Sequence, residues 1–75
     1  MNGFELRGDF ITLEALIKAA DLGGQRERAR AAIAGGELRV NGEVETRRGR
    51  KLRPGDEVRL GGETLRVQAG GSDAQ

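Results

Sequence analysis

The chain has no cysteine and no histidine, and these two absences exclude much of the chemistry that small proteins perform. Without cysteine there is no disulfide and no thiol nucleophile, and without histidine the commonest metal ligand and the commonest general base are missing. The sequence therefore predicts no catalytic residues, no metal site and no cofactor. A lack of cysteine is also typical of the reducing cytoplasm, which is the location that we expect.

Aromatic residues and long hydrophobic runs are also scarce. The chain has two phenylalanines, Phe4 and Phe10, and no tryptophan or tyrosine. We expect both phenylalanines in the core, which largely closes the route by which single-strand binders stack bases on aromatic side chains. No apolar run approaches the roughly 20 residues of a membrane span. Since nothing resembles a signal peptide either, we expect no membrane contact.

The length of the chain favours one small domain. Its 75 residues include seventeen large apolar ones, enough for a single modest core. The last seven residues are small and polar, so we expect a domain over residues 1–68 and a disordered tail over residues 69–75. No large apolar interface is indicated, and we expect a monomer.

The charges are segregated, although the net charge is only +1. The segment Arg26 to Arg59 holds ten basic and six acidic residues, whereas the rest of the chain holds three basic and six acidic ones. Within this segment lies a basic run without any acid, framed by the turn sequences Asn41-Gly42 and Pro54-Gly55-Asp56. A cationic run between two turns is a positioned cluster, which suits a polyanion. The run comprises Arg47, Arg48, Arg50, Lys51 and Arg53.

Two helices are predicted in the first half of the chain. Thr12 is a typical N-cap and is followed by an apolar face with helical spacing, which the pair Gly23-Gly24 ends. A second helix is predicted over Gln25–Ala34, with Arg26 and Arg30 as i, i+4 neighbours on one exposed side.

After the second helix the apolar period changes to two, which predicts strands. Asn41-Gly42 predicts a tight hairpin turn. Leu52 is the one apolar residue inside the basic run, and we expect it to anchor that run to the core. Phe4 and Leu6 alternate with polar neighbours and indicate a short strand before the helices. Together these patterns predict an α+β fold, with two short N-terminal helices packed on a small, mostly antiparallel sheet.

These residues resemble the S4 RNA-binding domain, also called the αL motif. ARAAIAGGELRVNG, from Ala29 to Gly42, is similar to the S4 pattern of an Ala-Arg helix, a glycine break, a strand and an Asn-Gly turn. Residues 11–22 and 41–56 resemble a narrower group, the stand-alone bacterial S4-like proteins of the YbcJ and YaaA type. The resemblance covers residues 11–67. Many S4 domains carry Ser-Arg at the start of the second helix, where this chain has Gln25-Arg26.

The resemblance implies an RNA-binding module without catalysis, and the composition indicates how it would bind. Arginine outnumbers lysine eleven to two, and the guanidinium group binds phosphate bidentately. We expect an exposed RNA-binding surface with two sides, one from the second helix and one from the basic run. Its predicted residues are Arg26, Arg30, Arg47, Arg48, Arg50, Lys51 and Arg53.

Phosphate contact without aromatic stacking favours a structured RNA, and ribosomal RNA and transfer RNA are both compatible with it. An alternative is a protein-interaction module, whose basic surface docks on a ribosome-associated or RNA-processing protein. DNA binding is a third hypothesis, because charge alone does not distinguish the two kinds of duplex. An enzyme is the least favoured hypothesis.

Overall fold

Residues 2–70, the part of the chain that the structure describes, form short strands and helices in a computed structural model. The α-helices are α1 (Leu13–Ala20) and α2 (Ala29–Ala34), and two 3₁₀ segments, Leu22–Gly24 and Arg26–Arg28, lie between them. The strands are β1 (Asn2–Leu6), β2 (Ile11–Thr12), β3 (Leu38–Val40), β4 (Glu43–Val44), β5 (Lys51–Leu52), β6 (Glu57–Leu60) and β7 (Glu63–Ala69).

Five of these strands form one sheet in the order β1-β7-β6-β3-β4, and β2 and β5 form a separate antiparallel pair. Within the five-stranded sheet β1 runs parallel to β7, and the other neighbours are antiparallel. The α+β class is therefore confirmed, with a mixed sheet. The short strand that the sequence indicates at Phe4 and Leu6 is confirmed as β1, whereas the prediction that the helices are N-terminal is wrong, because β1 and β2 precede α1. The reason is that Leu6 must be buried, and pairing with β7 places it against the core.

Helix α1 begins as the sequence predicts and ends earlier. Thr12 is the N-cap, and its hydroxyl oxygen accepts a hydrogen bond of 3.3 Å from the amide of Ala15. The helix ends at Ala20 rather than at the glycine pair, because Asp21 adopts a left-handed conformation with φ of 49°. The amide of Asp21 donates to the carbonyl of Ile17 and so closes the last turn.

Helix α2 is shorter than predicted. Its α-helical part covers Ala29–Ala34, and Arg26–Arg28 forms a 3₁₀ segment instead. Arg28, with φ of −117° and ψ of 21°, interrupts the helical backbone between them. The predicted apolar stripe of Ala29, Ala32 and Ile33 is buried, so the packing face was correct although the helix start was not.

The two turns that frame the basic run are present and are bonded to each other. Asn41 and Gly42 both have positive φ, 52° and 87°, as a two-residue hairpin turn between β3 and β4 requires. In the second turn Gly55 has φ of 100°, and a carboxylate oxygen of Asp56 accepts from the amide of Arg53 at 2.9 Å. The side-chain amide of Asn41 donates to the same carboxylate at 3.0 Å. The two ends of the intervening segment are therefore fixed together.

The core lies between the helices and the inner face of the sheet, and Leu52 is completely buried in it. Two large apolar residues are exceptions, since Val44 is 52% exposed and Phe10 is 42% exposed. The expectation that Phe10 belongs to the core is wrong. Neither helix within residues 2–70 is long and apolar enough to cross a membrane.

The predicted boundary after residue 68 stays a prediction. Ala69 is the last residue of β7 and pairs with Leu6, so the strand extends into the predicted tail by one residue. Residues 71–75 of that predicted tail lie outside the described residues.

Candidate nucleic-acid interface

The start of α1 and the loop over residues 45–50, here called the basic loop, are joined by backbone hydrogen bonds. The carbonyl oxygens of Arg50 and Arg48 accept from the amides of Leu13 and Glu14, at 2.8 and 3.1 Å. The first amides of a helix have no partner inside the helix, so the loop satisfies groups that would otherwise need water. Directly after the loop, β5 pairs with β2 and Leu52 enters the core, as predicted. The basic loop is thus attached to α1 by backbone hydrogen bonds and to the core through Leu52.

Glu45 holds two arginines of the basic loop. Its carboxylate accepts from the amide and the Nε of Arg47, both at 3.0 Å, and from Nη1 of Arg50 at 2.9 Å. These hydrogen bonds, with those from the Arg47 side chain foremost, lower the pKa of Glu45 from its ordinary value of 4.5 to about 2. Glu45 is only 6% exposed. An ionised carboxylate therefore lies beneath two guanidinium groups and fixes their positions.

Glu14 connects the basic loop to both helices. Its carboxylate lies 2.9 Å from Nζ of Lys18, 2.9 Å from Nε of Arg30 and 3.9 Å from Nε of Arg48. Hydrogen bonds from Lys18 and then Arg30 lower the pKa of Glu14 to about 2. One carboxylate on α1 thus brings together a cation of α2 and a cation of the basic loop, the two sides that the sequence predicts.

Within residues 2–70, the three remaining predicted residues form no ion pair with Glu14 or Glu45. Nε of Arg26 donates to the carbonyl of Lys18 at 3.0 Å, one turn along α1 from Glu14. Nζ of Lys51 lies 4.9 Å from the centre of the Phe10 ring. Arg53 donates its amide to the turn and, within residues 2–70, forms no side-chain ion pair. We call the seven predicted residues together with Lys18 the basic surface.

The 3₁₀ segment Arg26–Arg28, which precedes α2, is capped by Asp21 rather than by Gln25. Gln25 stands where many S4 domains carry serine, and its side chain makes no cap hydrogen bond. Instead a carboxylate oxygen of Asp21 accepts from the amide of Arg26 at 3.1 Å, and Glu63 accepts from the amide of Gly23 at 2.6 Å. These amides are therefore occupied by the chain's own carboxylates.

Sequence reasoning missed the residues that organise the basic surface. The i, i+4 spacing of Glu14 and Lys18 is readable in the sequence, and it signals an ion pair on one helical face. Glu45 gives no such signal, because its burial depends on how the loop folds back on α1. Phe10 gives none either, since its place on the surface follows from the pairing of β2 with β5.

Comparison with known proteins supports the interpretation of the fold. No curated protein matches the chain. Within the structure, the described residues contain no cluster of side chains that could hold a metal ion. The narrower resemblance to the YbcJ and YaaA type, the association with the ribosome and the cytoplasmic location stay predictions. The model of the S4 domain family matches residues 4–68, most of the chain. The chain therefore belongs to the S4 domain family, whose domains bind RNA.

Proposed function

We propose that this protein is a non-catalytic module that binds structured RNA through contacts between its basic surface and the phosphate backbone. The observation that carries the proposal is the position of Glu14, whose carboxylate hydrogen-bonds to Arg30 of α2 and lies 3.9 Å from Nε of Arg48 in the basic loop. Cations from separate elements thereby share one surface, with Arg47 and Arg50 beside them on Glu45.

The ion pairs leave the arginines accessible to a ligand. The side chains of Arg30, Arg47 and Arg48 remain 66%, 76% and 59% exposed although each contacts a carboxylate. A guanidinium has five N–H donors, so one edge can contact the carboxylate while other donors remain for a phosphate. An arginine that is already held in place also loses less side-chain freedom on binding.

The carboxylates do not neutralise the positive charge of the basic surface. Glu14 and Glu45 are ionised at neutral pH, as an ordinary glutamate is, and their hydrogen bonds to arginine and lysine lower both pKa values further, to about 2. Eight cations are set against four carboxylates, namely Glu14, Glu45, Asp21 beside Arg26 and Asp56 beside Arg53, which leaves an excess of positive charge. The basic loop itself carries no aromatic residue, so shape and phosphate spacing of a folded RNA are the features that it can recognise. Ribosomal RNA and transfer RNA both offer such features.

Binding to an RNA hairpin, measured by fluorescence anisotropy over a range of salt concentrations, tests the proposal. If about five to seven phosphates are contacted, log affinity against log salt should slope at roughly −4 to −6. A DNA hairpin of the same length should bind more weakly, since it lacks the 2′-OH groups of RNA. Equal binding of both hairpins would contradict RNA recognition. No binding at low salt would favour the alternative, docking on a ribosome-associated or RNA-processing protein.

Two double variants that each remove two positive charges test which surface contacts the RNA. Arg48→Ala with Arg53→Ala removes two cations of the basic surface without releasing Glu45, and it should reduce the slope by about 2. Arg39→Ala with Arg59→Ala removes the same charge from the outer face of the sheet and should leave the slope nearly unchanged. Equal effects of the two pairs would place the RNA elsewhere.

A further inference from the structure

Phe10 lies on the surface beside Lys51, where an aromatic side chain meets a cation. The residue is 42% exposed and directly precedes β2, which pairs with the strand that carries Lys51. Nζ of Lys51 lies 4.9 Å from the ring centre, within the roughly 6 Å of a cation–π contact. Lys51 forms no ion pair within residues 2–70. It therefore covers the ring and still has its charge available.

Phe10 also forms part of the wall of an open groove of about 300 Å³ beside the edge strand β1. This volume lies at the lower end of small-molecule sites, which span roughly 300–1,000 Å³. Most of the wall is apolar, with one cation, Arg7, and one carboxylate, Glu5. The lining residues are Phe4, Glu5, Leu6, Arg7, Phe10 and Ile11.

We propose that this groove takes one unpaired nucleobase of the bound RNA, stacked on the face of Phe10 that Lys51 leaves free. The inference rests on the proposed function, because the base belongs to an RNA whose backbone lies on the basic surface. A flat apolar ring attracts every base through its π face. Lys51 and Arg7 flank the ring and the groove, and they are placed to contact the phosphates on either side of that nucleotide.

The groove also offers a hydrogen-bond acceptor to the edge of the base. Glu5 is the one carboxylate on its wall, and a carboxylate accepts hydrogen bonds but donates none. Every unpaired base can donate to it, adenine, cytosine and guanine through the exocyclic amino group and uracil through N3–H, so Glu5 can orient the base without selecting one. A target that satisfies both the basic surface and the groove is a paired stem with one extruded base, rather than an uninterrupted duplex.

Two RNA hairpins with the same stem test the proposal, one fully paired and one with a single bulged adenosine. The wild-type chain should bind the bulged hairpin about five- to a hundredfold more tightly, from the stacking of one base on one aromatic ring. Phe10→Leu keeps apolar bulk without a flat ring, and it should bind both hairpins with the affinity that the wild type has for the paired one. Phe10→Tyr should restore the preference. Thermal unfolding checks that the variants fold.

The phenylalanine NMR signals give a second readout, because only two phenylalanines are present. With ¹³C-labelled phenylalanine, the bulged hairpin should shift the Phe10 ring signals and the paired hairpin should not. Equal affinity of the wild type for both hairpins, or an equal loss on both in Phe10→Leu, overturns base stacking and leaves the proposed function standing. Absence of binding to either hairpin overturns both proposals.

Discussion

The basic surface and the outer face of the five-stranded sheet both carry arginines, but only the basic surface holds them against shared carboxylates. Glu14 and Glu45 each contact two or more cations. On the outer sheet face Arg39 and Arg59 lie directly opposite each other on β3 and β6. Within residues 2–70 neither forms an ion pair, and Nη1 of Arg39 donates only to the carbonyl of Gly42 at 3.4 Å.

The difference follows from the path of the backbone. Alternate residues of a strand point to opposite faces, so Arg39 points away from the helices because Leu38 and Val40 are buried. The nearby carboxylates of Glu37 and Glu57 are paired with other arginines. The basic loop instead folds back on α1, so cations of different elements reach one carboxylate. The path of the backbone, and not arginine content alone, therefore decides which arginines share a carboxylate.

The largest effect is expected where the basic run enters the core. Leu52→Ala should destabilise the fold by about 2–5 kcal/mol, because it leaves a cavity where a completely buried side chain packs. Val44→Ala, at a position that is 52% exposed on the sheet, should change stability by less than about 0.5 kcal/mol. Urea unfolding followed by circular dichroism measures both. Similar losses for the two variants would show that Leu52 does not anchor the basic run.

A smaller effect is expected when Glu45 loses its partners. Arg47→Ala with Arg50→Ala leaves a buried carboxylate unpaired, which should lower the thermal midpoint by about 5–10 °C. Replacing these arginines is therefore not neutral for folding, although the sequence predicts them on an exposed surface, because both contact Glu45. Adding Glu45→Gln should recover part of the loss, because the unpaired charge is gone. Arg39→Ala with Arg59→Ala, the control on the sheet, should not lower the midpoint, since it removes two like charges that face each other.

The pH dependence of stability should also come from the basic surface. Folding lowers the pKa values of Glu14 and Glu45 from 4.5 to about 2. Their stabilisation is therefore complete above about pH 4.5 and is lost as the pH falls from there towards 2. Urea midpoints from pH 7 to pH 2 should show this loss, and Glu14→Gln with Glu45→Gln should reduce it. An unchanged profile in that double variant would assign the acid sensitivity to other carboxylates.

The sequence predicts the features that depend on neighbouring residues, but not those that depend on contacts between distant segments. Thr12, the Asn41-Gly42 turn and the buried Leu52 are local signals, and each is confirmed. The parallel pairing of β1 with β7 joins the two ends of the described chain, and no local pattern indicates it. The carboxylate contacts of Glu14 and Glu45 depend on the same kind of distant approach. The contacts that organise the basic residues could therefore not be predicted from the sequence, and the role of these residues in binding stays a prediction.

The smallest effect on stability is expected from a single charge reversal on the sheet. Arg59→Glu places a carboxylate opposite Arg39 and should raise stability by about 0.2–1 kcal/mol, less at high salt. The same variant should weaken RNA binding only slightly, because charges beyond about 10 Å are screened at 0.1 M salt. Arg48→Glu changes the net charge equally but acts on the basic surface, so it should weaken binding far more. If the two reversals weakened binding alike, the outer sheet face would belong to the interface, and support by carboxylates would not distinguish the arginines that bind RNA.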